Sequence, residues 1–474
     1  MSMTYNEAVD YIINVPRFNK YINKDFKANA TLLNLMEKLG NPHLKVKSVH
    51  VAGTNGKGST VQFIKNILVE AGCRVGCFVS PHLIKINERI SVWESLDDCA
   101  LDTYITDDDF LQSFNKVMEA VNGLSDNNMT PLTFFEYMFA IAAVYFCDKG
   151  LDYCIYETGL GGRLDATNIL APQITVITSI GLDHTKLLGD TVEKIAAEKA
   201  GIIKEGIPVV YNTGDKMADE VISQQAVKLN APEFNVAKGK YIINDFTPYT
   251  IDFSCSNSYY IYHNIRINSP GMYQVHNAMT AIEVCSNLPT IGETISEAII
   301  KKACKRFSWQ GRMEHLDEYL IIDGAHNLDA IIPFVKSVNS MCGGKKINIL
   351  FAVADDKNYT DMIEYLCDNL NLDEIYVTSI QSDRRVLAKE VAIIFQNHMN
   401  KVLCKPVKTL GITSSQLSDT KVEDNCIYYD NDLRTVFSLA YNSTKEKSGI
   451  LFCVGSLYLI GNIKEIYMED YKDD

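Results

Sequence analysis

No two cysteines in this sequence stand at C-x-x-C spacing, and the thirteen that occur, an odd number, are scattered from Cys73 to Cys453. That pattern excludes a disulfide framework and a cysteine-based zinc site, and reads as reduced thiols in a cytoplasmic protein. Long hydrophobic runs are missing too. The most apolar stretch, Phe134 to Cys147, is interrupted by Glu136. It falls short of the ~20 residues that a membrane span needs and reads as a buried helix. The opening Met1-Ser2-Met3-Thr4-Tyr5-Asn6-Glu7 carries neither a basic nor an apolar segment, so no secretory signal is expected. Basic excess is also lacking: 45 Lys and Arg face 59 Asp and Glu, a formal net charge of −14. Nucleic acid or anionic membrane held by bulk charge is therefore disfavoured as a partner. A pocket can still be locally positive on a negative protein. Neither an internal repeat nor a low-complexity tract occurs.

What is present suffices for sizeable cores. With 47% apolar residues in 474, the chain is folded rather than disordered, and its length suits two or three domains. Strand-like runs alternate with helical periodicity over the first two hundred residues. Val46–Ala52, Arg74–Val79, Leu151–Tyr156 and Gln173–Ile180 read as strands; Lys57–Ala71, Pro131–Lys149 and Thr191–Ile203 read as helices. This βαβα order predicts an α/β fold with a doubly wound, mostly parallel sheet. From Tyr211 to about Asn268 the composition shifts to Tyr, Ile, Asn and Ser, which predicts a small antiparallel patch. A second βα series (Tyr319–Ile322, Ile347–Phe351, Glu374–Thr378, Gly449–Val454) predicts a smaller, Rossmann-like domain. The expected division is 1–306, a linker at 307–312, and 313–474. The acidic insert Glu94–Asp109 reads as a solvated loop. The terminal Asp470-Tyr471-Lys472-Asp473-Asp474 resembles a clipped epitope tag and is set aside.

Gly53-Thr54-Asn55-Gly56-Lys57-Gly58-Ser59-Thr60 lies between a predicted strand and helix, where a phosphate-binding loop belongs. Its glycines let backbone N–H groups turn inward, the helix N-terminus adds positive potential, and Lys57 can reach the outer phosphates. Ser59 or Thr60 can offer a hydroxyl to Mg²⁺. The match to the general pattern is loose, since Val51 holds the leading glycine position and Gly58 separates Lys57 from Ser59. A glycine-rich turn without a ligand fits the same residues. Two further strand ends carry suitable chemistry. Glu157 precedes Thr158-Gly159-Leu160-Gly161-Gly162, and Asp183-His184 follows Ser179-Ile180-Gly181-Leu182. Carboxyl ends of neighbouring strands face one edge of an open α/β sheet, so Lys57, Glu157 and His184 can converge. Alone, Lys199 in Ala197-Glu198-Lys199-Ala200-Gly201 would be a surface lysine.

These runs stand in order with Ser80-Pro81-His82-Leu83, Asn87-Glu88-Arg89-Ile90, Arg163-Leu164-Asp165-Ala166-Thr167-Asn168, Gln310-Gly311-Arg312 and Asp323-Gly324-Ala325-His326-Asn327. The set resembles the dihydrofolate synthase/folylpolyglutamate synthase family, the folate branch of the Mur-type ATP-dependent amide ligases. The likeness extends from Tyr5 to about Gly461. It departs from the family pattern at Gln310 and at Leu328, where proline is usual.

The resemblance implies a bifunctional ligase of the bacterial type that phosphorylates a substrate carboxylate with ATP and joins it to L-glutamate. The acceptor would be dihydropteroate or a folate; extension of folates alone is the alternative. A carboxylate is a poor electrophile, and its acyl phosphate is a good one, so an ATP site is chemically required. By likeness, Gly53 to Thr60, Asn277, Arg312 and Asp323 would bind ATP. Ser59 and Glu157 would hold one Mg²⁺, and His184 with a carbamylated Lys199 a second; a monovalent cation is a further expectation. Ser80, Pro81, His82, Arg89, Asp165 and Ala166 would line the pterin side, and His326 would close on glutamate. Lys57, His184, Lys199 and His326 are the catalytic candidates, and a monomer is expected. A ligase for another carboxylate, a P-loop ATPase and a non-catalytic nucleotide binder are the rival readings. The P-loop ATPase leaves Asp323 to His326 without a role, and intact Lys57, Glu157, His184 and Lys199 speak against the non-catalytic binder.

Overall fold

The computed structural model describes residues 3–16, 29–97, 103–124, 130–257, 259–289, 291–402, 408–411 and 426–472. They form two α/β domains, each built on a seven-stranded sheet, with a three-stranded sheet attached to the first. The first sheet contains β1 (Lys47–Ala52), β2 (Val75–Phe78), β3 (Ile90–Trp93), β4 (Tyr153–Glu157), β5 (Ile174–Ile177), β6 (Val209–Tyr211) and β7 (Glu233–Asn235). Their order is β3-β2-β4-β1-β5-β6-β7, parallel throughout except between β2 and β3. A parallel sheet covered on both faces demands strands that are apolar on both sides. β1, β4 and β5 are buried along nearly their whole length.

Register decides where function can sit. Val51 lies opposite Glu157 on β4, and Ala52 opposite Ile177 on β5, so three strands end level with one another. The helix Lys57–Glu70 leaves β1 at that edge and packs in one core with the helices Tyr273–Ser286 and Glu297–Lys305. On the opposite face, the helix Phe134–Lys149 starts in a capping box between Thr133 and Glu136 and stops at Gly150, whose φ is +61°. It is the buried helix expected of the most apolar stretch.

The change of character expected at Tyr211 comes later. The helix Lys216–Lys228 carries the chain into one more parallel strand, β7. The antiparallel sheet begins only at β8 (Lys240–Phe246), followed by β9 (Ile251–Ser256) and β10 (Ile261–Ile267). Alternation on β9 drives Ile251, Phe253 and Cys255 into the first domain's core.

The second sheet runs β11-β12-β17-β13-β14-β16-β15. Its strands are β11 (Glu314–His315), β12 (Leu320–Ile322), β13 (Ile347–Phe351), β14 (Leu372–Val377), β15 (Lys408–Gly411), β16 (Cys426–Tyr429) and β17 (Leu451–Val454). The four expected strands are present. β11, β15 and β16 are additions of two to four residues, too short for a periodicity to announce them.

The acidic insert is a loop only in part. Residues 98–102 of it lie outside the described residues, and Thr106 caps the helix Asp107–Asn122. Asp107, Asp108 and Asp109 occupy that helix's first turn, where negative charge meets the positive end of the dipole. At the other end, the helix Leu457–Asp470 takes up Asp470, Tyr471 packs on Tyr441, and residues 473–474 lie outside the described residues. None of the eleven described cysteines is joined in a disulfide to another described residue, and all but Cys147 are buried. Among the described residues, no helix is long and apolar enough to cross a membrane.

Candidate active site

The loop after β1 is shaped by its glycines. Gly56 caps the Lys57 helix at φ +83°, and a Cβ there would stand 2.5 Å from the Asn277 amide oxygen. At Gly53 a Cβ would stand 1.8 Å from Thr178 Oγ1. Hydrogen bonds from Thr178 Oγ1 and Ser179 Oγ to the Asn55 carbonyl fasten the loop to the end of β5. Among the described residues no side chain caps the 14-residue helix, so its first-turn N–H groups are left to an anion. Lys57 Nζ folds back onto the carbonyls of Gly53 (3.1 Å) and Thr54 (3.2 Å) and lies 3.9 Å from Glu157 Oε1.

Glu157 is buried at the end of β4, and burial pushes its carboxyl up to about 7 against the pull of Lys57. Its one hydrogen bond among the described residues is a long one, 3.3 Å, from the Ser80 N–H. A carboxylate with four acceptor sites is thus left under-coordinated in a buried place. No three His, Cys, Asp or Glu gather into a metal cage among the described residues. Glu157 and the Ser59 hydroxyl, both on the same cavity, are instead the sparse oxygen set that Mg²⁺ uses alongside phosphate oxygens and water. The residues fit the ion.

Lys199, buried in the helix Val192–Ala200, donates to the Gly53 carbonyl at 2.8 Å. Burial and the charge of Lys57 lower it to about 7. Asp183 is the hub of the far wall. It receives Lys357 Nζ at 2.6 Å and Asn327 Nδ2 at 3.1 Å, and lies 3.8 Å from His326 Nε2 and 4.0 Å from His184 Nε2. Burial works the other way, yet Lys357, His326 and His184 hold its carboxyl well below the usual range. His184, at φ +49°, is lowered by burial against the pull of Asp183.

The second domain supplies the opposite side. Asp323 accepts from Tyr273 OH (2.6 Å), Met313 N (2.9 Å) and Ala325 N (2.8 Å); burial raises it, and the Arg312 charge opposes that. His326 Nδ1 bonds the Gly324 carbonyl at 2.7 Å, which assigns the proton to Nδ1 and leaves Nε2 an acceptor. Burial and the charge of Lys357 push this imidazole down to about 4. Asn55 and Asn327 exchange amide hydrogen bonds of 3.0 and 3.2 Å across the two domains.

One cavity of about 600 Å³ joins these groups. Gly53 to Ser59, Ser80, Pro81, His82, Glu157, His184, Lys199, Asn277, Arg312, Asp323 and His326 all line it. Four expected site residues do not. The Thr60 hydroxyl is buried in the helix with no hydrogen-bond partner among the described residues. Arg89 stands behind His82, donating to its Nδ1 at 2.8 Å. Asp165 is buried in its own loop: one oxygen takes the N–H groups of Gly159 and Leu160 (both 2.9 Å), the other Thr167 N (3.0 Å) and Oγ1 (2.6 Å). Ala166 packs in the core under the helix Phe134–Lys149. Conversely, Gln274, which donates to Ser59 Oγ at 3.3 Å, and Lys357 were not foreseen. Lys357 follows the end of β13, and a charged residue just past a strand's carboxyl end in an open sheet was the available signal.

Residues 110–285 match the Mur ligase middle domain. The chain is 38% identical over 363 residues to the dihydrofolate synthase/folylpolyglutamate synthase of Bacillus subtilis, an alignment that covers 75% of this chain and 82% of that relative. The chain belongs to this family. The folylpolyglutamate synthase of Thermotoga maritima shares its fold over 98% of this chain and 97% of that one, at a TM-score of 0.76 and 26% identity. An FPGS–AMPPCP–folate complex aligns at a TM-score of 0.75 and 25% identity, over 98% and 99% of the two chains. Membership of the dihydrofolate synthase/folylpolyglutamate synthase family makes the chain an ATP-dependent ligase of the Mur type.

Proposed function

We propose that this enzyme joins L-glutamate to the carboxylate of dihydropteroate and to the γ-carboxylate of folates, driven by ATP through an acyl phosphate. One observation carries the reading: the Lys57 loop, Glu157, Asp183-His184 and Lys199 of the first domain face Asp323, His326 and Lys357 of the second across one cavity, with Arg312 between the two. Phosphoryl transfer is mostly positioning and charge neutralisation, and this wall of cations, helix N-terminus and buried carboxylate suits it.

The nucleotide's outer phosphates would draw Lys57 off the Gly53 and Thr54 carbonyls. Ser59 with Glu157, and His184 with Lys199 as its carbamate, would hold Mg²⁺, which when bound offsets repulsion between phosphate and substrate carboxylate. A lysine near 7 is about half neutral at that pH, and the neutral amine is the form that adds CO₂; intact-mass measurement in bicarbonate tests this. His326, anchored through Nδ1, presents Nε2 as an acceptor for a proton of the incoming amine. Ties between Asn55 and Asn327 and between Asp183 and Lys357 bring the domains together and keep water from the acyl phosphate. Further parts of the reading are a division at 307–312, action in the cytoplasm and a monomer.

The deciding experiment supplies ATP, Mg²⁺ and L-glutamate with either dihydropteroate or tetrahydrofolate, and follows ADP and product mass. Glutamate-dependent ADP release with both acceptors is expected. Release with tetrahydrofolate alone leaves a folylpolyglutamate synthase, and no release with either overturns the reading. Lys57→Ala and His184→Ala are expected to abolish turnover, whereas Glu94→Ala, on the exposed side of an Arg74 ion pair, leaves it unchanged.

A further inference from the structure

Five Lys or Arg side chains line the cavity: Lys57, Lys199, Arg312, Lys357 and Arg384. Four have work in the site already. Lys57 and Lys199 sit on the phosphate loop, Arg312 faces Asp323, and Lys357 is bound to Asp183. Arg384 belongs to none of these groups. It follows β14, beyond its carboxyl end, and its side chain is 40% exposed.

Its setting is that of a prepared guanidinium. Nη1 donates to Asp356 Oδ2 at 3.2 Å, Nη2 donates to Tyr458 OH at 3.1 Å, and the Cζ stands 5.6 Å over the Tyr458 ring. The phenol steadies the plane of the fork. Of five N–H donors, two are used, and the remaining three have no partner among the described residues. The pair with Asp356 is long and half exposed, so a ligand carboxylate can replace it at little cost.

We infer that Arg384, steadied by Tyr458, is the subsite that takes the side-chain carboxylate of the incoming glutamate. This rests on the ligase reading above. Glutamate brings two carboxylates and one nucleophilic amine, and the amine must reach the acyl phosphate over the Lys57 loop. Asp356 and Lys357 are neighbours in sequence, but Lys357 points into the buried hub at Asp183 whereas Asp356 meets Arg384 at the exposed rim. The carboxylate three carbon–carbon bonds beyond the amine-bearing carbon is the one that reaches the rim. A bidentate guanidinium accepts it and rejects a neutral amide in its place.

The test is steady-state kinetics of Arg384→Ala and Arg384→Lys on the full chain, with glutamate and glutamine as rival acceptors. Loss of a charge-assisted hydrogen bond predicts a KM for glutamate raised about 10- to 100-fold in Arg384→Ala. The KM values for ATP and the pteroyl substrate stay within about twofold, and the preference for glutamate over glutamine narrows by the same factor. Arg384→Lys, which keeps charge but loses the fork, falls between. A glutamate KM within about twofold of the parent, or an unchanged glutamate preference, in a variant with the parent's melting temperature overturns the inference. Failure of the underlying reading looks different, because the parent itself then shows no glutamate-dependent ADP release.

Discussion

Lys357 Nζ lies 2.6 Å from Asp183 Oδ1, and the two side chains are only 9% and 10% exposed although they belong to different domains. A buried ion pair is weak support for stability as such, but removing one member strands the other charge, at a cost of about 3–5 kcal/mol. Lys357→Met and Asp183→Asn should therefore each depress stability and turnover sharply. The double variant should lose less than the sum, with a coupling energy above about 1 kcal/mol in urea denaturation. Strict additivity would mean that the two residues act separately.

Gly56→Ala tests the phosphate loop. Its positive φ costs a Cβ-bearing residue roughly 1–2 kcal/mol, and the new methyl meets the Asn277 amide oxygen. The expected result is nucleotide affinity weakened at least about tenfold, read by equilibrium binding of a fluorescent ATP analogue. Unchanged affinity would argue that the loop is not built around phosphate.

His50 lies fully buried on β1, with Nε2 2.7 Å from Thr167 Oγ1 and Nδ1 without a partner among the described residues. Burial, helped by Lys204, pushes it down to about 3 from the usual 6.5. The unfolded chain binds this proton more readily, so the stability is complete above about 6.5 and drains away as the pH falls toward 3. Between pH 7 and pH 5, urea denaturation should show a loss of about 2 kcal/mol from this group, absent in His50→Leu. An equal pH dependence in the variant would remove His50 from the account.

Asp165 was expected at the pterin, and its carboxylate is committed to Gly159, Leu160 and Thr167. Asp165→Ala strips four donors of their acceptor. Stability should fall by more than about 2 kcal/mol, with the melting temperature lowered even without substrate. A variant with native stability and a raised KM for dihydropteroate alone would instead assign the residue to substrate.

What could be read beforehand was what repeats locally: strand–loop–helix order, glycines beside charged groups, and the level strand ends that follow from parallel register. Lys57, Glu157 and His184 come together for that reason. What could not be read is pairing over long separations. Lys357 and Asp183 are 174 residues apart, and Asn55 and Asn327 are 272 apart; nothing in either segment names its partner. Asp165 shows a second limit, because a motif displays a carboxylate without showing which lone pairs the loop has already used. The net charge of −14 misled in a third way. It sums the whole chain, while the cavity sets five Lys and Arg side chains among five Asp and Glu, so the sum says nothing of the local arrangement.

Asn327 does two jobs with one amide. Its Oδ1 accepts the Ala330 N–H as the cap of the helix Leu328–Cys342 and also receives Asn55 Nδ2 from the phosphate loop. The loop and the helix thus share a joint, like a handle and the bar it turns. A nucleotide that shifts Asn55 must either carry the fifteen-residue helix with it or give up the paired amide bonds to Asn327. Filling the phosphate loop therefore bears directly on how firmly the second domain's first helix is held against it.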